Sequence, residues 1–255
     1  MAAPINIALF CVGLLAGAVL IVLGVYCHQR WNEPGTRAFA VFSILIGLGA
    51  VSGGVIRVFA PGEVQSLWPD VAFVAWTFAM LPWLLFSLQY TGTYTRIRRR
   101  TVALLSVPLV GFAALLLISV VDLSVNDLLL QVIGSLASVH ILFLAIIGTY
   151  LVVRTTHEYG HLSLVQGVIL GTAAMVPFMI FNFASVLLED VGITPAAAAY
   201  AAGFVLPAGL LTTAVFRFDM FESTPAAGTV GEQAIARETD NLIFVVDQNE
   251  RVIQL

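Results

Sequence analysis

Apolar residues in this chain come in long unbroken runs, not in the alternation of a half-buried strand or the one-sided stripe of a surface helix. Seven runs stand out, at 7–27, 38–60, 67–90, 102–121, 128–153, 162–188 and 196–216. A helix of about 20 apolar residues crosses the hydrocarbon of a bilayer, so the pattern predicts seven transmembrane helices. The connections, at 28–37, 61–66, 91–101, 122–127, 154–161 and 189–195, are short, and most carry Pro, Gly or charge. Within the runs, small residues recur four apart: Gly13 and Gly17, Gly49 and Gly53, Gly167 and Gly171, Ala198 and Ala202. Such pairs let helix backbones approach closely, and here they read as tight packing inside one bundle rather than as a dimer contact. Pro82, Pro108, Pro177 and Pro207 fall inside the runs; each removes one backbone hydrogen bond and favours a kink.

The third run sets the direction of the rest. It carries no charge between Asp70 and Arg96, then ends in Arg96, Arg98, Arg99 and Arg100. Arginines just beyond a spanning run are retained on the cytoplasmic side. Counted by side, Arg30, Arg37, the cluster of four, Arg154 and Arg217 face Arg57 alone. The side of Arg57 carries Glu63, Asp70, Asp122, Asp127, Glu189 and Asp190 instead. The N-terminus is therefore expected outside and the C-terminus inside.

The pattern changes after Phe216. Residues 218–255 hold seven acidic residues and two arginines, a net of −5, against +1 for residues 1–217. A break at 228–231 precedes a possible helical turn at 232–238. Two β-branched runs, 242–246 and 251–255, then flank Asp247-Gln248-Asn249-Glu250. That arrangement predicts a hairpin, which alone is marginal in water. The expected organisation is a membrane domain at 1–217, a juxtamembrane linker at 218–231 and the start of a soluble α/β domain at 232–255.

Composition agrees. Of 255 residues, 60% are hydrophobic and 10% charged, where soluble domains carry about 25% charged residues. All eleven basic residues are arginine. The absence of lysine excludes a retinal Schiff base, a P-loop lysine and any lysine nucleophile. Cys11 and Cys27 lie on one run, about four helical turns apart, too far to pair with each other. Residues 1–6 hold no basic residue and no small-residue cleavage site, so the first run is expected to stay as a helix, not leave as a signal peptide.

Ionisable and polar residues inside membrane runs are the candidates for function. Arg57 and Asp70 sit near the same ends of two neighbouring runs and are expected to pair, either structurally or as part of a ligand site. His140 lies near the middle of the fifth run, with Gln131 two to three turns from it on the same run; Asn182 and Tyr200 lie in the sixth and seventh. Together they make either an outward polar cavity for a small ligand or for proton sensing, or a set of interhelical hydrogen bonds. Trp76 and Trp83 read as bundle filling, Trp31 and Trp68 as interfacial anchors. His157-Glu158-Tyr159-Gly160-His161 has the H-E-x-x-H spacing of zinc peptidases, in which two histidines share a helix face and the glutamate acts as base. Thr155 and Glu158 could form a capping box starting the sixth helix early. The motif would then sit at a helix N-terminus, where the dipole disfavours a cation, and no third ligand lies at suitable spacing beyond it. The plainer reading is a solvated loop. A small transporter is a further alternative, but neither internal repeats nor further midplane charges accompany His140.

Three stretches carry a likeness to a known family. Trp76-Thr77-Phe78, Pro82-Trp83 and Leu88-Gln89-Tyr90-Thr91-Gly92 form a tryptophan-rich helix ending in a Tyr-Thr-Gly turn. Phe216-Arg217-Phe218-Asp219-Met220-Phe221 to Pro225-Ala226-Ala227 forms a membrane exit. Asp240 to Asp247 and Arg251-Val252-Ile253 are similar to the opening strands of a PAS domain. The set resembles the N-terminal seven-transmembrane region of sensor histidine kinases, a two-component family frequent in haloarchaea. The resemblance implies an all-α seven-helix bundle in the cell membrane. It would act as a sensory input module for a small ligand or other stimulus and pass the signal to a cytoplasmic PAS, kinase or other output domain, with a homodimer possible. No cofactor and no nucleic-acid partner is expected for the chain. No histidine comes after His161 and no glycine-rich ATP segment lies in the tail, so this chain is expected to perform no catalysis itself.

Overall fold

The computed structural model describes residues 4–62, 64, 68–94, 97–120, 127–158, 163–187, 195–222, 225, 245–246 and 252–254. Its helices are α1 (Pro4–Arg30), α2 (Thr36–Phe59), α3 (Trp68–Tyr90), α4 (Arg99–Val120), α5 (Asp127–Glu158), α6 (Leu164–Leu187) and α7 (Pro195–Arg217). One helix falls on each predicted run. Among the described residues, five helices are long and apolar enough to cross a membrane: those at Ile5–Arg30, Thr36–Phe59, Val71–Tyr90, Val132–Glu158 and Ala196–Arg217. Apolar side chains cover the outside as well as the core; Leu104 and Val139 are 73% and 67% exposed. Large apolar residues exposed in such numbers on a water-soluble surface would aggregate it, whereas lipid accepts them.

The helices run up and down and close on themselves. α1 packs on α2 and α7, α2 on α3, α3 on α5, α5 on α6, and α6 on α7, while α4 lies against α5 and α3. Small residues make the closest approaches. Gly17 faces Ala50 and the Gly47 carbonyl, Gly49 faces Ala75, Gly167 faces Thr156, and Gly171 faces Thr149. These glycines are used within the chain, where a missing Cβ admits the neighbouring helix.

Helix α5 runs a turn further than its apolar run. Thr156 Oγ1 donates back to the carbonyls of Val152 and Val153 at 3.1 and 3.0 Å, and Arg154 Nε meets Glu158 Oε1 at 2.8 Å, one turn on. The one-turn ion pair and the burial of Thr155 and Thr156 carry the helix past its apolar run. This corrects the expected loop over 154–158 and the capping box; residues 159–161 lie outside the described residues. Thr155 and Glu158 belong to the end of α5, and α6 starts at Leu164.

Beyond α7, β1 (Val245–Val246) and β2 (Val252–Gln254) pair antiparallel, where the sequence places a hairpin. The helical turn expected at 232–238 lies outside the described residues.

Candidate coupling site at the exit end of the bundle

The chain leaves α7 at Arg217 and folds straight back. Asp219 takes a left-handed conformation, φ +46°, which Asp tolerates better than most side chains. The Glu222 N–H donates to the Asp219 carbonyl at 2.8 Å, closing the turn. The turn drives Met220 and Phe221 into the end of the bundle, where both are buried. Packing therefore continues past residue 217.

Phe221 lands among aromatic rings from three other parts of the chain. Its centroid is 5.4 Å from Trp31, on the connection between α1 and α2, and 5.4 Å from Phe39 of α2; it is 6.5 Å from Phe86 of α3. Phe39 and Phe86 are themselves 5.4 Å apart. Tyr26 links Trp31 to Phe216 of α7 at 5.5 and 5.3 Å. All of these separations suit offset or edge-on ring packing. Trp31 is half-buried and packs against the core at this end of the bundle. The side chain of Trp68 lies outside the described residues.

The end of α3 supplies the other half of the site. Tyr90 is fully buried 5.2 Å from Phe86, and its hydroxyl accepts a hydrogen bond from Gln166 Nε2 of α6 at 2.8 Å. Thr91 Oγ1 donates to the Ser87 carbonyl at 2.7 Å. Gly92, at φ +73°, donates to Gln89, and Tyr94 donates to Leu88. The Tyr-Thr-Gly turn thus has a physical role in each residue: an anchor, a carbonyl cap and a left-handed stop. Gly35, at φ +90°, starts α2 directly against Phe86 and Tyr90, where a Cβ would stand 3.2–3.3 Å from their atoms. One turn deeper, Trp83 stacks on Phe86 and Phe42. Its Nε1 donates to the Ala145 carbonyl of α5 at 3.4 Å, over Gly148, whose missing side chain makes room for the indole. The exit turn thereby contacts groups that reach into α1, α2, α3, α5 and α6.

The candidate sensing residues lie elsewhere and divide. Arg57 and Tyr200 are brought together through Phe10: the Arg57 guanidinium carbon lies 5.6 Å from the Phe10 ring centre, and Phe10 lies 4.8 Å from the Tyr200 ring. Tyr200 is fully buried. It threads between Gly13 of α1 and Gly54 of α2 and donates its hydroxyl proton to the Ala50 carbonyl. His140 faces another helix; its Nε2 lies 2.9 Å from the Leu105 carbonyl of α4. A carbonyl only accepts, so Nε2 carries the proton. The contacts of His140 and Tyr200 therefore fall on different helix pairs. The side chains of Asp70, Gln131 and Asn182 lie outside the described residues, and with them the expected Arg57–Asp70 pair.

Of the H-E-x-x-H motif, His157 and Glu158 are the exposed last residues of α5, and Glu158 is engaged by Arg154. His161 lies outside the described residues. The dipole argument reverses for these two residues, because a helix C-terminus favours a cation. Among the described residues, no group of three or more His, Cys, Asp or Glu gathers as a metal site.

The sequence names Trp31 only as an anchor and Met220 and Phe221 only within the membrane exit, and it gives no sign of Gln166. A signal was present: two apolar residues, Met220 and Phe221, lie beyond the last basic residue of α7, where a solvated linker would be polar. The core of α3 also holds Trp76 Nε1 and Thr77 Oγ1, which have no hydrogen-bond partner among the described residues.

An all-around apolar helical bundle, closed at one end by its own exit turn, defines a multi-pass membrane protein. Residues 12–225 match the family described as the N-terminal 7TM region of histidine kinase, and the chain belongs to that family. The match takes in both the Tyr-Thr-Gly turn and the Phe221 plug. No curated protein and no solved structure matches the chain.

Proposed function

We propose that this chain is the sensory input module of a histidine kinase-type signalling protein, and that Phe221 is the contact through which the bundle controls the cytoplasmic output. All seven helices cross the bilayer in this reading. The end bearing Arg30, Arg37, Arg98, Arg99, Arg100, Arg154 and Arg217 lies in the cytoplasm, which the arginine bias supports. The stimulus acts on the helices, and the chain itself carries out no phosphoryl transfer. The hairpin at 245–254 is the beginning of a PAS-type domain that receives the signal, as its position after the exit turn and its strand pairing suggest.

The observation that carries this reading is the docking of Phe221 on Trp31, Phe39 and Phe86. A segment held only by α7 would report only the movement of α7. A segment plugged into α2, α3 and the connection between α1 and α2 responds to any repacking among them. Such repacking is a two-state element that a stimulus can bias if it binds the two packings unequally.

The test joins the chain through its tail to a cytoplasmic kinase core and measures autophosphorylation in membranes. Regulated output that becomes fixed at one level in Phe221→Ala supports the proposal. A folded fusion whose output is the same in wild type and Phe221→Ala under every stimulus argues against it. A reporter fused at Leu255 and read outside the cell would remove the topology on which it rests.

A further inference from the structure

Two cavities of about 510 and 560 Å³ lie side by side along α5 and α6. Both are lined by Thr149, Val153 and Met175, so they form one groove. Its lining runs along α6 from Leu164 to Ile180, about 24 Å of helix rise. That exceeds the depth of one leaflet in a hydrocarbon core of about 30 Å. The walls are apolar, and Val168 and Leu206, which line it, are exposed at its rim. The groove therefore opens sideways, toward lipid.

Its exit end differs from the rest. There the lining includes Tyr150, Arg154 and His157, spaced along one face of α5. Arg154 gives its Nε to Glu158 in their ion pair and also hydrogen-bonds Tyr150, and the side chain is 55% exposed. The remaining guanidinium N–H groups can serve a second anion. An acyl-length apolar trough ending at Arg154 and His157, on the end that carries the other arginines, matches one kind of occupant. We infer that this groove binds one anionic phospholipid, with an acyl chain along Val153 and Met175 and its phosphate on Arg154 and His157.

Glu158 sharpens the case. It competes with the phosphate for Arg154, so its removal should favour the lipid. A merely structural Arg154–Glu158 pair would give Glu158→Gln and Arg154→Gln the same effect.

The test uses the full chain purified in neutral detergent and read by native mass spectrometry. It is offered phosphatidylglycerol or phosphatidylcholine with identical chains, or glycerol phosphate as the headgroup alone. We expect phosphatidylglycerol to be retained about fivefold over phosphatidylcholine, the gain for one basic residue at a membrane surface. Arg154→Gln should abolish that preference, Glu158→Gln should preserve or raise it, and Arg98→Gln should leave it unchanged. Val168→Trp, which fills the groove, should weaken retention of both lipids. An undiminished preference in Arg154→Gln overturns the proposal, as does equal loss in Arg154→Gln and Arg98→Gln. Binding of glycerol phosphate as tight as that of the whole lipid makes the mouth a phosphate site and ends the acyl-chain assignment.

Discussion

Gln166 Nε2 donates to the Tyr90 hydroxyl at 2.8 Å in a contact from which both residues are shielded. The bond ties the end of α3 to the start of α6, beside the rings that receive Phe221. Gln166→Leu leaves the buried phenol without its partner, and Tyr90→Phe leaves the amide without its acceptor. Each should cost about 1 kcal/mol, the scale of interhelical hydrogen bonds in membrane proteins. The double variant removes both polar groups and should recover much of the loss. Unfolding in mixed micelles measures the cycle; strictly additive losses would show that the bond contributes nothing as a pair.

Phe221 is held at the edge of the bundle, so its removal should act locally. Truncating a buried Phe to Ala forfeits about 3 kcal/mol, roughly a hundredfold in the docked-to-released ratio. In Phe221→Ala, protease cleavage after Arg217 should accelerate on that scale while unfolding of the seven helices changes little. Asp219→Val should release the same segment by a different route, since a β-branched residue resists φ +46°. Asp219→Gly should leave it docked. Equal cleavage in all four proteins would mean that the exit turn is not held by these contacts.

The sequence made the seven helices legible because lipid demands long apolar runs, and a run of that length has few other meanings. Residues 154–158 were misread because the signal for helix there is not apolarity. It lies in the Arg154–Glu158 pair and in the packing of Thr155 and Thr156 against the bundle. The glycine spacing announced close approaches, yet spacing alone does not say that the partner of Gly13 and Gly54 is Tyr200, far along the chain on α7. The exit plug was hidden for a related reason. Four residues, Phe218 to Phe221, are too few to show a period, and their burial depends on rings drawn from α2, α3 and the connection after α1.

Tyr200 and Gly13 give a direct check on bundle closure. A Cβ on Gly13 would collide with the Tyr200 ring, and overpacking of this kind costs about 1–3 kcal/mol. Gly13→Ala should therefore lower the melting temperature, and Tyr200→Leu in the same chain should suppress part of that loss. Tyr200→Phe keeps the ring and loses only the bond to the Ala50 carbonyl, so it should cost less than Gly13→Ala. If Gly13→Ala is harmless, α1 and α7 do not close as described.

His140 can be tested for the choice the sequence left open, between a bond that holds the bundle and a group that meets a stimulus. Its Nε2 proton reaches the Leu105 carbonyl of α4 at 2.9 Å. That carbonyl adjoins the one on Leu104, whose helical partner Pro108 removes. α4 packs against α5 and α3 alone among the main helix contacts, so one polar tie is a larger part of its attachment than it would be for α2 or α7. His140→Leu preserves bulk and removes the donor. A holding role predicts faster amide hydrogen exchange in α4 than in α1 or α2, and a loss of about 1 kcal/mol in overall stability. A role confined to the stimulus predicts unchanged exchange in α4 and a fusion protein that no longer responds. The two outcomes appear in different measurements, so a variant that fails both assigns His140 to each role.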